Sequence, residues 1–241
     1  KDERGPDLCE NCKAELKPPL KQLFRLENVS TKRRDKINSD EEERFRIGFD
    51  LKTTVRFPER EGRPSYHVSQ AKINNETLAT LTYGDAAQMW RINFGWKRRA
   101  NQNQYGFVLD IERGYWKKNE QLGEEDDDPM SPKTARVIPF VEDRRNCLLL
   151  KPSDNISLEE MASIQSAIKN AIQVEYQLED NELAVEPLPD IDNRLQIMFY
   201  ESAEGGAGVL RRLQEEPNAL SNVASRALEI CHFDPETGED K

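Results

Sequence analysis

The chain has 241 residues, with 45 acidic against 35 basic side chains, a net charge of -10 and a charged fraction of 33%. That length predicts one large domain or two small ones. The longest apolar run, Cys147–Leu150, falls far below the roughly 20 residues of a membrane helix, and the opening KDERGPDL lacks a signal-peptide core, so neither membrane insertion nor secretion is expected. Four cysteines and two histidines are too few for a disulfide scaffold and point to a reduced, cytoplasmic setting. The acidic total argues against uniform coating of nucleic acid and leaves room for a local basic site.

Residues 1–43 read as a knuckle-like turn holding Cys9-Glu-Asn-Cys12, followed by a charged connector. In the connector Lys32, Arg33, Arg34 and Lys36 precede the run Asp40–Glu43, with Asn38 and Ser39 placed to start a short helix whose first turn favours those acids. Residues 44–120 are expected to form an antiparallel β-rich subdomain, a five-stranded sheet or a small barrel. FRIGFDLKTTVRF, YHVSQAKI, ETLATLTYG, QMWRINFGW and QYGFVLDI alternate roughly and are rich in β-branched and aromatic residues, with EGRP, NN, GDA and KRRANQN as turn signals between them. Residues 121–134, with acids from Glu124 to Asp128 and prolines at 129 and 132, read as an acidic mobile loop and a domain boundary.

Residues 135–241 are expected to form an α/β subdomain with two or three helices packed on strands, which makes the whole chain α+β. ARVIPF and NCLLLKP read as buried strands, and Ser157-Leu-Glu-Glu160 forms a capping box. Met161, Ile164, Ile168, Ala171 and Ile172 then give one helix face, through about Leu178. ELAVEPLP and RLQIMFYE read as strands, the second running into a glycine cluster before the helix begun by VLRRL. Pro217 is expected to open the last helix, with Leu220, Val223, Ala224, Ala227 and Leu228 inward and Cys231-His232 at its end.

Motifs for catalysis are missing: there is no G-x-x-x-x-G-K-[ST], no H-E-x-x-H and no G-x-S-x-G, so a self-contained enzyme is not expected. A metal-dependent nuclease among the 45 acids is a minor alternative, because no spacing picks out a pair. Cys9 and Cys12 have the spacing of a zinc knuckle, which needs a second thiol pair. They are two ordinary cysteines, half of a zinc ribbon, or a site closed by Cys231 and His232, the last awkward because adjacent residues point apart. Cys147, in a Leu-rich strand, reads as a small buried hydrophobe.

The stretch from Trp90 to Lys118 carries all three tryptophans, with Arg91, Lys97, Arg98, Arg99, Arg113, Lys117 and Lys118 against Asp110 and Glu112 alone. Such cations hold phosphates, and an exposed Trp96 or Trp116 stacks on bases. The bland alternative is tryptophans in a core and cations covering a hairpin. Gly205, Gly206 and Gly208 stand between strand and helix, where backbone amides receive an anion or glycine permits tight packing.

The blocks LCENCKAEL, NVSTKRRDKINSDEEER, FYESAEGGAGVLRRL and ALEICHF together resemble the C-terminal region of bacterial superfamily-2 helicases and helicase partners that carry the MrfA-type zinc-binding domain. Long a domain of unknown function, it also occurs in DISARM antiphage proteins. The resemblance implies zinc in the full-length protein, ATP only through an upstream motor domain, and DNA and that motor as partners. Phe199, Tyr200 and Glu201 before Gly205–Gly208 match the family's strand-to-glycine run, and Cys231 matches a cysteine that a further close pair completes as a zinc site. The chain stops at Lys241 without that pair and begins without methionine, as an excised fragment would, leaving Cys9, Cys12 and Cys231 as partial metal sites.

The expected function is therefore a non-catalytic accessory module of a DNA helicase in DNA repair or phage defence. It aids nucleic-acid binding through Lys32, Arg33, Arg34, Trp96, Lys97, Arg98, Arg99, Trp116, Lys117 and Lys118, or docks a partner. The alternative is a protein-interaction scaffold without nucleic-acid contact.

Overall fold

The structure, a computed structural model, describes residues 19–27, 48–117, 133–202 and 205–240. Its strands are β1 (Leu23–Arg25), β2 (Phe49–Arg56), β3 (Glu59–Arg60), β4 (Arg63–Pro64), β5 (His67–Ile73), β6 (Glu76–Trp96), β7 (Phe107–Asp110), β8 (Trp116–Lys117), β9 (Thr134–Pro152), β10 (Leu183–Asp190) and β11 (Asn193–Glu201). Three helices, α1 (Leu158–Tyr176), α2 (Val209–Glu215) and α3 (Ala219–Ile230), complete the described elements. None of them is long and apolar enough to cross a membrane.

Strand order runs β10-β11-β9-β6-β2, with β5 also on β6, β1 and β7 on β9, and β8 on β7; β3 and β4 form a separate hairpin. The β10–β11, β9–β11, β5–β6, β7–β8, β7–β9 and β3–β4 pairs are antiparallel, whereas β1 lies parallel to β9 with Leu23 opposite Ile138. Of the two β architectures expected, the described residues form the open sheet, and with three helices the fold is α+β. The β5–β6 turn follows its sequence signal: Asn74 and Asn75 both take positive φ, at 49° and 68°, the hand that suits a two-residue hairpin.

Two expected breaks in the strands do not occur. Gly84-Asp85-Ala86 does not turn the chain, and β6 runs through it for 21 residues. Gly84 instead lets the Phe57 ring lie against the strand, since a Cβ there would sit 2.3 Å from the Phe57 Cδ1. Ala86, at φ 48°, donates its N–H to the Asn146 Oδ1 at 3.1 Å, so a side chain satisfies the backbone at the irregularity. ARVIPF and NCLLLKP likewise join in one 19-residue strand, β9.

The compact units consequently do not follow chain order. One unit draws on the described residues up to Lys52 and on Arg91–Val141, the other on Thr53–Trp90 and Glu142 onward, so β2, β6 and β9 each contribute residues to both. In the second unit Cys147–Leu150 of β9 and Ile197–Tyr200 of β11 send alternate side chains into two core clusters, which explains their continuous apolar sequences, whereas β5 is largely exposed. Leu81, Tyr83, Leu148, Leu150, Ile197 and Phe199 pack with the three helices, while Ala87, Met89, Cys147, Met198 and Tyr200 form a separate cluster.

Helix α1 starts at its capping box, with the Ser157 side chain accepting from the Glu160 N–H and the Glu160 carboxylate accepting from the Ser157 N–H. Met161, Ala171 and Ile172 are buried, with Ile164 and Ile168 partly buried against the same core. Helix α3 starts after an Asn218 cap, so Pro217 precedes it and does not open it. Its buried face is Ala219, Val223 and Ala227; Ala224, expected inward, is exposed.

Candidate nucleic-acid interface

The first unit gathers aromatic rings from three stretches of sequence. Phe49 of β2 stacks on Trp96 at the end of β6, with centroids 4.3 Å apart and planes at 27°. Phe107 of β7 meets Phe49, Trp96 and Trp116 edge-on at 6.0, 6.4 and 5.9 Å. Burial of this cluster is incomplete: Trp96 remains 45% exposed, Trp116 51% and neighbouring Tyr115 69%. Trp90 is half-buried and belongs to the other unit.

The cations around this cluster divide into two groups. Arg99 is enclosed: both terminal nitrogens reach the Asp50 Oδ2 at 3.2 Å, and its guanidinium also donates to the carbonyls of Trp96 and Gln102. It lies over the Tyr105 ring at 5.0 Å, with its side chain 10% exposed. Lys117 pairs with the enclosed Asp110 at 3.1 Å. Backbone N–H groups, that of Arg113 foremost, and the Lys117 ammonium hold the Asp110 carboxyl below its ordinary range. By contrast Lys97, Arg98 and Arg113 are exposed and make no ion pair among the described residues. Glu112, the remaining acid of Trp90–Lys118, is paired with Lys133 at 3.5 Å.

The arrangement separates residues that hold the fold from residues that stand free. Arg99 and Lys117 serve as internal ties, while Lys97, Arg98, Trp96 and Trp116 are presented outward. Lys32, Arg33, Arg34 and Lys118 lie outside the described residues, as do Asn38, Ser39 and the acidic stretch Glu124–Asp128. Phe49, Asp50 and Phe107 were not expected in the site. Their signal is tertiary: Asp50 and Arg99 are 49 positions apart.

The glycine cluster in the second unit contains its own anion. Glu201, 1% exposed, accepts the Leu210 N–H on Oε1 at 3.1 Å and the Asn146 amide on Oε2 at 2.9 Å. Gly206, at φ 67°, comes so close that a Cβ there would lie 1.8 Å from Oε2. Gly208 caps the seven-residue α2, and Gly205 offers its carbonyl to Asn146 at 3.4 Å. The chain's own carboxylate thus lies against Gly206 and takes the Leu210 N–H, which favours the tight-packing reading of Gly205, Gly206 and Gly208 over the anion-binding one.

Nearby, Tyr83 donates to the Asp85 Oδ1 at 2.5 Å, and Arg211 pairs with Oδ2 at 2.7 Å. Of the described thiols Cys147 is buried, its pKa pushed up to about 12 by burial, whereas Cys231 is exposed at the end of α3.

These features are those of a small α+β module, and one part of it matches a known domain. Residues 164–236 match the family model of the MrfA Zn-binding domain, covering most of α1 together with β10, β11, α2 and α3. The resemblance drawn from the glycine block and ALEICHF is met over that segment. No curated protein matches the chain. Among solved structures it is similar to the DUF1998 helicase MrfA bound to DNA, with 12% identity and a TM-score of 0.42 over 81% of this chain and 24% of that one. The chain thus spans about a quarter of that helicase's length.

The matched domain's name implies zinc, and the described residues do not fit a zinc ion by themselves. No three His, Cys, Asp or Glu side chains among them are grouped to hold a metal, and Cys231 is followed directly by His232, in the left-handed region at φ 65°. Cys9 and Cys12 lie outside the described residues.

Proposed function

We propose that this chain is a non-catalytic accessory module of a DNA helicase, working in DNA repair or phage defence, that offers nucleic acid the outward face of Trp96, Lys97, Arg98, Arg113 and Trp116. The observation that carries the nucleic-acid reading is the pairing pattern around those residues. Every acid of Trp90–Lys118 is tied to a lysine, while Lys97, Arg98 and Arg113 stay exposed beside exposed tryptophans. Among the described residues these cations have no acidic partner although the chain's net charge is -10, and such cations attract phosphates even where the overall field is acidic.

The helicase association rests on the match of residues 164–236 to the MrfA Zn-binding domain. In this reading ATP hydrolysis belongs to a motor domain or subunit, zinc to a site that the described residues do not complete, and the working compartment is the cytoplasm. Fluorescence anisotropy of labelled DNA at several salt concentrations tests it. Saturable binding that weakens as salt rises is expected; no binding at low salt overturns it. The net charge of -10 favours one second reading, a scaffold for a motor subunit, which predicts co-purification with that subunit in the absence of DNA.

A further inference from the structure

Resting on that reading, we propose that the nucleic acid taken by this face is single-stranded, with Trp96 and Trp116 each stacking on a base while Lys97, Arg98 and Arg113 hold phosphates. Two large aromatics about half exposed on one small unit are costly in water, and here the rings are braced rather than loose. Phe49 covers one face of Trp96, Phe107 abuts both tryptophans, and 45% and 51% of the two residues remain open. A braced ring loses little freedom when a base settles on it.

Spacing and chemistry select the strand state. Phe107 stands 6.4 Å from Trp96 and 5.9 Å from Trp116, so the two indoles share one aromatic neighbour and lie close enough for a single short strand to reach both. Inside a duplex the base faces are already stacked on one another and only the groove edges are open, to be read by hydrogen-bonding groups. An indole has a single N–H and a broad π-face, which matches an unstacked base of any identity. The binding is therefore expected to be tolerant of sequence and selective for unpaired strands.

The test uses the 241-residue chain with a fluorescent oligothymidylate and a blunt duplex of equal length. The oligothymidylate is expected to bind more tightly and to quench tryptophan emission. Trp96→Leu and Trp116→Leu keep apolar cover over Phe49 and Phe107 and are expected to weaken it by about 5- to 30-fold each. Arg98→Ala is expected to flatten the salt slope by about 0.7 with quenching retained.

Equal affinity for both strand states, or absence of quenching in the unmodified chain, overturns the single-strand inference. So does wild-type binding by both leucine variants. If Arg98→Ala still weakens binding in those cases, the nucleic-acid reading stands. No binding of either strand state at low salt overturns that reading itself and points instead to a protein partner on the aromatic face.

Discussion

Glu201, the last residue of its strand, accepts the backbone N–H of Leu210 in the first turn of the following helix at 3.1 Å. The favourable end of a helix dipole is usually open to an external anion, and here the chain closes it from within. Asn146 holds the second carboxylate oxygen from a third element, so strand, helix and β9 are tied at one buried point. The glycine run is then a packing device around Glu201.

Removing this carboxylate leaves the Leu210 N–H buried without its acceptor and takes from the half-buried Asn146 amide the shorter of its two bonds. Glu201→Ala is expected to cost about 2–5 kcal/mol in urea unfolding. Gly206→Ala brings a Cβ to 1.8 Å from Glu201 Oε2 at a φ of 67°, and is expected to destabilise by a similar amount. Because both act on one contact, the double variant should lose less than the two losses combined. Additive losses would show that the glycine and the acid act separately.

The neighbouring arginines at 98 and 99 should separate cleanly. Arg99→Ala breaks an enclosed ion pair with Asp50 and bonds to two carbonyls, and about 1.5–3 kcal/mol of stability is expected to go with it. Arg98 is exposed and its side chain makes no ion pair among the described residues, so Arg98→Ala should stay within about 0.5 kcal/mol of wild type. If binding falls with Arg98→Ala at unchanged stability, the contribution of Arg98 lies in the ligand. Equal destabilisation by both changes would contradict the division of the two side chains.

Local rules explain the parts of this fold that could be read from the sequence. The capping box and the three-and-four spacing after Ser157 are contained within one helix, and Asn74-Asn75 needs only its own two residues to make a hairpin. Gly84-Asp85-Ala86 has turn chemistry, yet pairing of β6 on both sides carries the strand through it. Val141–Arg145, which lay between the two expected strands ARVIPF and NCLLLKP, also sit inside β9. In the candidate site the cations and tryptophans were legible as a cluster. Which cations were free was not, because Asp50 reaches Arg99 only through the tertiary fold. Of the two readings of the glycines, the packing of Gly206 against Glu201 was not legible, because it depends on how the preceding strand meets the next helix.

Thiol chemistry distinguishes the two described cysteines. Cys231 is exposed and is expected to react with iodoacetamide in the native protein near neutral pH, as read by peptide mapping. Cys147 is buried with its pKa pushed up to about 12 by burial, so it should label only on unfolding. Native labelling of Cys147 would mean that the core of β9 and β11 opens locally.

The acid limb of stability should carry a contribution from Asp85. Burial works against its ionisation, but the hydrogen bond from Tyr83 and the Arg211 charge prevail and hold its carboxyl below the ordinary 3.8. A lowered folded pKa means that the unfolded chain binds the proton more readily, so this contribution is complete above about pH 4 and is lost as pH falls through the folded value. Tyr83 has the opposite sense: burial foremost, then Asp85, raises its hydroxyl above 10.0, so its contribution is complete below pH 10 and is lost at higher pH. Asp85→Asn should therefore lower stability at neutral pH and flatten the loss below pH 4, measured as unfolding free energy against pH. Its removal should also weaken the alkaline loss, since Asp85 no longer opposes the Tyr83 anion. A variant with an unchanged acid limb would show that Asp85 is equally acidic in the unfolded chain.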